Sequence, residues 1–310
     1  RYSTAGGSTL LNAQPLQAAS HRGTVSLAHN GNLVNAHELR REMELQGSIF
    51  STTSDTEVIL HLLARHPGAL VEDALLDVLP RVRGAYSLVA LTRDRLIAAR
   101  DPHGFRPLCL GRYRDSYVVA SESCAFDIIG ATYLRDIEPG ELVVLGDGEL
   151  SSRFLPVDAP EKRCVFEHVY FSRPDSRIFG QSVEEARRRS GMILGREAPA
   201  DADLVCAVPD SSNTAALGYA QATGIPFELA LIRNHYVGRT FISPAQKVRD
   251  MSVRIKFNPV AHVIEGRRVV VVDDSIVRGT TMRKLVKLIR QAGAVEVHLR
   301  IASPPVTNPF

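Results

Sequence analysis

The chain has 310 residues, of which 45% are hydrophobic and 23% charged, and its formal net charge is +3. The length is a prior for two domains of roughly 100–200 residues each, and the composition is that of an ordinary soluble protein. So small a charge makes no case for nucleic acid, and no apolar run approaches the ~20 residues that cross a bilayer. Cys109, Cys124, Cys164 and Cys206 are widely spaced with no C-x-x-C pair, so neither a zinc knuckle nor a thioredoxin-like motif is suggested. The cytoplasm, which keeps thiols reduced, is the expected compartment.

The chain opens on RYSTAGG and closes on SPPVTNPF, and both ends read as cuts inside a larger protein. TVSLAHNGN predicts a strand running into a loop. NAHELRREMELQG predicts a helix with a glycine stop, and SDTEVILHLLARH a second helix with Asp55 in its first turn. GAYSLVAL, DRLIAAR, PLCLGR and SYVVASES are short strands separated by turn residues. This half reads as α+β, with antiparallel sheet and segregated helices. SSRFLPVDAPEKR, residues 151–163 with its two prolines, is the expected linker. Beyond it, SVEEARRRSGMILGREA is a helix opened by Ser182 and Glu185 at capping-box spacing. DLVCAV, FELALI, RRVVVV and VEVHLRIA are strands, and NTAALGYAQAT and MRKLVKLIRQAG are helices stopped by Gly224 and Gly293. Apolar strands alternating with helices predict an α/β unit whose parallel sheet is buried on both faces.

The chemistry concentrates in VVVVDDSIVRGTT. Ligands of open parallel sheets bind beyond the carboxyl ends of the strands, which is where Asp273 and Asp274 fall. The loop after them leads into a helix N-terminus, whose free N–H groups favour a phosphate. Carboxylates repel phosphate, so the two acids must face something else, such as ribose hydroxyls or magnesium. A lone Asp-Asp or serine here would equally be read as a helix cap. AVPDSSNTAALGYA places Asp210, Ser211 and Ser212 in a second anion-competent turn between strand and helix. RNHYVGRTFISPAQKVRDMSVRIKFNP is long, basic and aperiodic, which in a compact domain points to function. The alternative for it is a solvated basic surface.

VVVVDDSIVRGTT resembles the phosphoribosyl pyrophosphate (PRPP) signature of type I phosphoribosyltransferases. With FSRPDS, VPDSS and NHYVGRTFI, the order of segments resembles the glutamine phosphoribosylpyrophosphate amidotransferase family across nearly the whole chain. The resemblance implies an N-terminal-nucleophile glutaminase domain, an incomplete αββα sandwich over 1–155, lacking its N-terminal part. It implies a phosphoribosyltransferase domain over 163–310, lacking its C-terminal part. Asp273 and Asp274 would hold the ribose diol and help to organise Mg2+. Ser275, Ile276, Val277, Arg278, Gly279, Thr280 and Thr281 would hold the 5′-phosphate. Asp210, Ser211 and Ser212 would handle pyrophosphate, with Ser211 linked to the metal. Arg239, Lys247, Arg249, Arg254 and Lys256 would belong to a lid over the polyanion.

In the first half, RYSTAG matches the glutamine-binding segment, so Arg1 would pair with the α-carboxylate and Thr4 add a hydrogen bond. AHNGNL matches the oxyanion segment, with the Asn30 amide and the Gly31 N–H as donors, and Asp55 would hold the α-amino group. Without the resemblance these signals are weak, because Asn-Gly is chiefly a turn dipeptide. RDPHGFRPLCLGR and ASES also match and are read as structural. The family's nucleophile is an N-terminal cysteine, and this chain begins with Arg1, so this chain by itself is not expected to hydrolyse glutamine. A [4Fe–4S] cluster, present in some members, is not expected. Only Cys164 matches a ligand, Phe310 stands where another would be, and such clusters need four thiolates.

The implied activity transfers glutamine-derived ammonia to C1 of PRPP, the first step of purine synthesis. Glutamine or ammonia and PRPP would be its substrates, and purine nucleotides its feedback inhibitors. A homotetramer is implied, with no nucleic-acid or membrane partner. The rival readings are a PRPP-sensing regulator without catalysis and a base-type phosphoribosyltransferase.

Overall fold

The computed structural model describes residues 6–146, 148–234, 256–277 and 279–305. They fall into two compact units, Arg1–Cys164 with Ile178–Gly180, and Val165–Arg177 with Gln181–Phe310.

The strands of the first unit are β1 (Leu16–Ser20), β2 (Gly23–Leu33), β3 (Gly84–Leu91), β4 (Leu96–Arg100), β5 (Cys109–Tyr113), β6 (Ser116–Ala120), β7 (Thr132–Asp136), β8 (Glu141–Gly146) and β9 (Glu149–Phe154). One antiparallel sheet has the order β1-β2-β3-β4-β8-β9, and a smaller one the order β6-β5-β7. Side chains alternate across a strand, and ELVVL shows what that does here. Leu142 and Val144 join a core with Leu27, Leu33, Tyr86 and Leu88, while Val143 and Leu145 join another with Leu108, Leu110 and Ile137. The first core is closed by helices α1 (Ala36–Leu45), α2 (Thr56–Arg65) and α3 (Val71–Val78), through residues such as Met43, Ile59 and Leu75, and a short helix α4 (Cys124–Ile129) lies between β6 and β7. The second core receives Leu110 and Ile137 from in and beside the smaller sheet, so the larger sheet is covered on both faces.

Three features depart from the sequence reading. The stretch expected to pass from strand into loop stays a strand through Asn30 and Gly31 to Leu33, because β3 supplies a hydrogen-bonding edge along its whole length, pairing Asn30 with Ser87 and Gly31 with Tyr86. VEDALLDV is a helix that was not expected; Ala74 and Leu75 bury the face that holds it. Ser151–Phe154, placed in the linker, is instead the end of β9, paired along β8.

Tyr86 is fully buried, and its hydroxyl has no hydrogen-bond partner among the described residues. An unsatisfied buried hydroxyl costs about 1–3 kcal/mol. Tyr86→Phe should therefore raise the free energy of unfolding by about 1 kcal/mol. Denaturant titration checks this, and a destabilisation of that size would show that the hydroxyl has a partner.

In the second unit, Ser182 Oγ accepts from Glu185 N at 3.3 Å and opens helix α5 (Val183–Glu197) as its capping spacing predicts. Helix α6 (Asn213–Thr223) ends at Gly224, φ 73°. The two helices touch backbone to backbone: a Cβ on Gly191 would lie 1.8 Å from the Ala215 carbonyl oxygen, and one on Gly218 2.1 Å from that of Arg188. Strands Leu204–Ala207, Arg268–Asp273 and Glu296–Ile301 form a parallel sheet with Arg268–Asp273 in the centre. Val269 and Val271 pack with Leu285 and Ile289 of helix Thr280–Gln291, whereas Val270 and Val272 pack with Ala216 and Tyr219 of α6. Four consecutive buried valines are what a strand covered on both faces requires.

FELALI is not the strand expected. Only Leu231–Arg233 is extended into pairing, antiparallel to Phe257–Pro259, and Phe227 makes a single bridge to Val205. Val205 N donates to Pro226 O and Glu228 N to Val205 O, one parallel bridge, but Ala230 N then donates to Glu228 O at 2.9 Å, and that tight turn ends the pairing. Among the described residues no helix is long and apolar enough to cross a membrane.

Candidate functional site

The central strand of the second unit delivers Asp273 and Asp274 to the carboxyl edge of its sheet, beside the turn that follows Leu204–Ala207. The two turns are tied together by serine hydroxyls. Ser211 Oγ donates to Asp274 Oδ2, and Ser212 Oγ to Asp273 Oδ1 at 3.2 Å. Ser275 Oγ donates to Asp274 Oδ1 at 2.6 Å, and the Asp274 N–H to Asp273 Oδ1 at 2.9 Å. Burial, and after it the neighbouring Asp274 charge, pushes the Asp273 carboxyl up to about 6. Two carboxylates held against each other in this way favour a cation or hydroxyl donors.

The serines behave differently from what the sequence suggested. Ser212 is wholly buried with its hydroxyl on Asp273, so its side chain positions the acid. Ser211 is half-buried and bridges to Asp274. Asp210 is exposed and pairs with Arg233. Arg233, at the end of its short strand, was not singled out in the sequence, because only folding brings it to that turn. An exposed pair of this kind stabilises by about 0–1 kcal/mol, so its interest lies in where it puts a guanidinium. The Pro209–Asp210 peptide is cis.

Beyond the acids, Ser275 is half-buried, Ile276 and Val277 are exposed, and Gly279, φ 66°, precedes the helix on which Thr280 and Thr281 are exposed. A helix N-terminus set among exposed residues offers an anion its backbone N–H groups, with the Thr280 and Thr281 hydroxyls on the same turn. Arg278 lies outside the described residues, as do Arg239, Lys247, Arg249 and Arg254. Lys256 is described, and its carbonyl accepts from Asn234 N at 2.8 Å. That bond extends the pairing of Leu231–Arg233 with Phe257–Pro259, so the two ends of the basic segment stand side by side.

A resident metal cage needs more ligands than this turn offers. Among the described residues no group of three or more His, Cys, Asp or Glu could hold a metal ion. Two carboxylates do suit Mg2+, which keeps several waters and is commonly shared with substrate phosphates. Cys164 is half-buried, with its N–H donated to Phe105 O at 3.2 Å, whereas Cys109, Cys124 and Cys206 are buried thiols. Burial pushes the Cys109 and Cys206 thiols up to about 12, so neither is a nucleophile. Phe310, like Arg1 and Thr4, lies outside the described residues.

In the first unit, Asn30 and Gly31 sit on β2 next to a buried cluster. Gln14 Oε1 accepts from His29 N at 2.6 Å, His29 Nδ1 lies 3.1 Å from Thr56 Oγ1, and His29 Nε2 lies 3.2 Å from Ala85 O. Asp55 is buried at the start of α2 and its Oδ2 accepts the Leu33 N–H at 3.0 Å. It thereby fixes the strand that carries Asn30 and Gly31. The 101–106 turn reaches the same strand: Arg106 Nη2 donates to Asn30 Oδ1 at 3.4 Å.

A profile of the glutamine amidotransferase domain matches residues 8–127, and one of the phosphoribosyl transferase domain matches 192–302. The chain is 52% identical over its full length to an amidophosphoribosyltransferase of Bacillus subtilis, covering 65% of that protein. It is 51% identical to one of Archaeoglobus fulgidus, covering 68% of it and all of this chain. A solved structure of glutamine PRPP amidotransferase from B. subtilis, complexed with ADP and GMP, superposes with a TM-score of 0.92 at 50% identity, over 98% of this chain and 67% of that one. The chain thus spans between 54% and 68% of the length of these and similar curated relatives.

Proposed function

The chain belongs to the amidophosphoribosyltransferase family, and on that premise we propose that the protein transfers ammonia, released from glutamine by the first unit, to C1 of PRPP on the second. The observation that carries this reading is the pair Asp273–Asp274 at the sheet edge, tied to Ser211 and Ser212 of the facing turn.

The serine hydroxyls that now donate to the acids are the same chemical type as ribose 2′- and 3′-hydroxyls, and a carboxylate has lone pairs for both. The 275–281 turn takes the 5′-phosphate on backbone N–H groups. The 209–212 turn takes the departing pyrophosphate, and Arg233, paired with Asp210 of that turn, brings a guanidinium beside it. Asp273 and Asp274 would hold Mg2+ together with substrate phosphates, and the ion would supply countercharge for the departing pyrophosphate. In the reaction the C1–N bond forms, the C1–O bond breaks with its electron pair going to pyrophosphate, and the nitrogen loses a proton. The basic residues Arg239 to Lys256 take the role of covering the polyanion and excluding water.

In the first unit Asn30 Nδ2 and Gly31 N stabilise the oxyanion, Asp55 holds the α-amino group, and Arg1 with Thr4 takes the α-carboxylate. Domain limits of 1–155 and 163–310 are part of this reading, as are purine-nucleotide feedback, a cytoplasmic site and a homotetramer. The nucleotide-bound Bacillus neighbour supports the feedback. The test is pyrophosphate release by the whole protein from PRPP and ammonia, with Mg2+. Magnesium-dependent release stoichiometric with phosphoribosylamine is expected. Release with a purine base in place of ammonia, or none at all, overturns the reading.

A further inference from the structure

The 101–106 turn is held by an unusual number of internal bonds. Asp101 is fully buried and accepts the N–H groups of Tyr86, His103 and Phe105 at 3.0–3.3 Å. Arg100, also buried, donates to the carbonyls of Gly104 at 2.9 Å, Arg106 at 2.9 Å and Ile137 at 2.7 Å. Ser87 Oγ lies 3.2 Å from the carbonyls of both Arg106 and Pro107. In the sheet Asn30 faces Ser87, and Ser87 faces Arg100. The residues that pin the Arg106 backbone are therefore the first and second residues across the sheet from Asn30. Such a scaffold fixes where the Arg106 side chain starts, and its Nη2 ends 3.4 Å from Asn30 Oδ1.

A primary amide is two-faced: its NH2 donates and its oxygen accepts. An oxyanion needs the donor, and the same amide turned over presents an oxygen to the developing negative charge. A guanidinium has only donors, so the atom it holds must be Oδ1, and Nδ2 is then directed away from it. Preorganisation of this kind is what makes oxyanion donors effective, because nothing has to reorient as charge develops.

We propose that Arg106 is a positioning residue for the glutaminase reaction, locking the Asn30 amide with its NH2 end toward the oxyanion. The proposal rests on the reading of Asn30 as an oxyanion donor.

Whole-protein variants separate the two claims. In Arg106→Met, kcat for glutamate release should fall roughly 10–100-fold, below the ~10²–10³ that follows loss of an oxyanion donor itself. KM for glutamine should be nearly unchanged, and ammonia-dependent synthesis, which bypasses this unit, should keep its rate. Arg106→Lys, which retains a donor, should recover part of kcat. In an Asn30→Ala background, Arg106→Met should add little, because there is no amide left to orient. An unchanged kcat in Arg106→Met, or an equal loss with and without Asn30, overturns the positioning role. Should Arg106→Met also lose the ammonia reaction through misfolding, Arg106→Lys and the Asn30 background decide, and a lysine variant no better than methionine sinks the idea. If Asn30→Ala itself leaves glutaminase turnover intact, the oxyanion reading fails, and the proposal with it.

Discussion

Asp273→Asn in the whole protein should lower kcat/KM for ammonia-dependent phosphoribosylamine formation by roughly 10²–10⁴-fold, the range expected when a charge that contacts both substrate and metal is removed. Its stability at pH 8 should not fall. The substitution keeps Oδ1, which accepts from Ser212 and from the Asp274 N–H, and removes only the charge. The folded protein holds the Asp273 proton up to about pH 6, against about 3.9 for an unfolded aspartate. A carboxyl pushed up on folding favours the folded state below the lower of these values and loses that advantage as the pH rises through the higher one. At pH 8 the ionised Asp273 thus costs stability, and asparagine relieves it. A melting temperature unchanged or raised, with activity lost, marks a group retained for function. Near-normal turnover at saturating PRPP would sink the assignment of the acids. A large fall in melting temperature would show that the charge is structural.

This acid pair was legible in the sequence because its signal is local. A run of valines fixes the strand, the strand end fixes the edge of the sheet, and the two acids followed by a Gly-Thr-Thr turn are the local pattern on which the sugar-phosphate reading rests. The partners of the acids were not legible. Ser211 and Ser212 lie 63 and 61 residues before Asp274 and Asp273, and only the parallel pairing of Leu204–Ala207 with Val269–Val272 brings them together. Arg233 and Arg106 were missed for the same reason, since neither carries a local signature of the group it meets. The β2 error is of another kind. Asn-Gly has strong turn chemistry, and nothing near it in sequence announces that β3 will capture it in a ladder. Tertiary pairing overrode a correct local preference.

Gly31 is where that override leaves its mark, and Gly31→Ala is expected to be the most damaging single-methyl change in the first unit. Its φ is 150°, a conformation that L residues rarely adopt, and a Cβ there would lie 2.0 Å from the Ala85 carbonyl oxygen and 2.8 Å from His29 Nε2. That carbonyl belongs to β3 and sits 3.2 Å from His29 Nε2, so it cannot retreat without loosening the histidine that precedes Asn30. The strand must shift instead. Forcing a non-glycine residue into a strained backbone against a fixed carbonyl costs about 2–4 kcal/mol. For a two-state unit the unfolding midpoint should fall accordingly in a denaturant titration. The functional loss should exceed the loss of folded protein, because Gly31 N and Asn30 Nδ2 are the two donors we propose for the oxyanion and a shift of about 1 Å can cost as much as 10²-fold. In the whole protein, glutamate release per folded molecule should therefore drop at least tenfold, while ammonia-dependent synthesis persists. Gly23 is the control on the same strand. Its φ is 88° with nothing within 4 Å of a Cβ, so Gly23→Ala should carry only the backbone strain and leave glutaminase turnover per folded molecule unchanged. Equal losses of turnover in the two variants would show that close approach at Gly31 has no special bearing on the oxyanion segment.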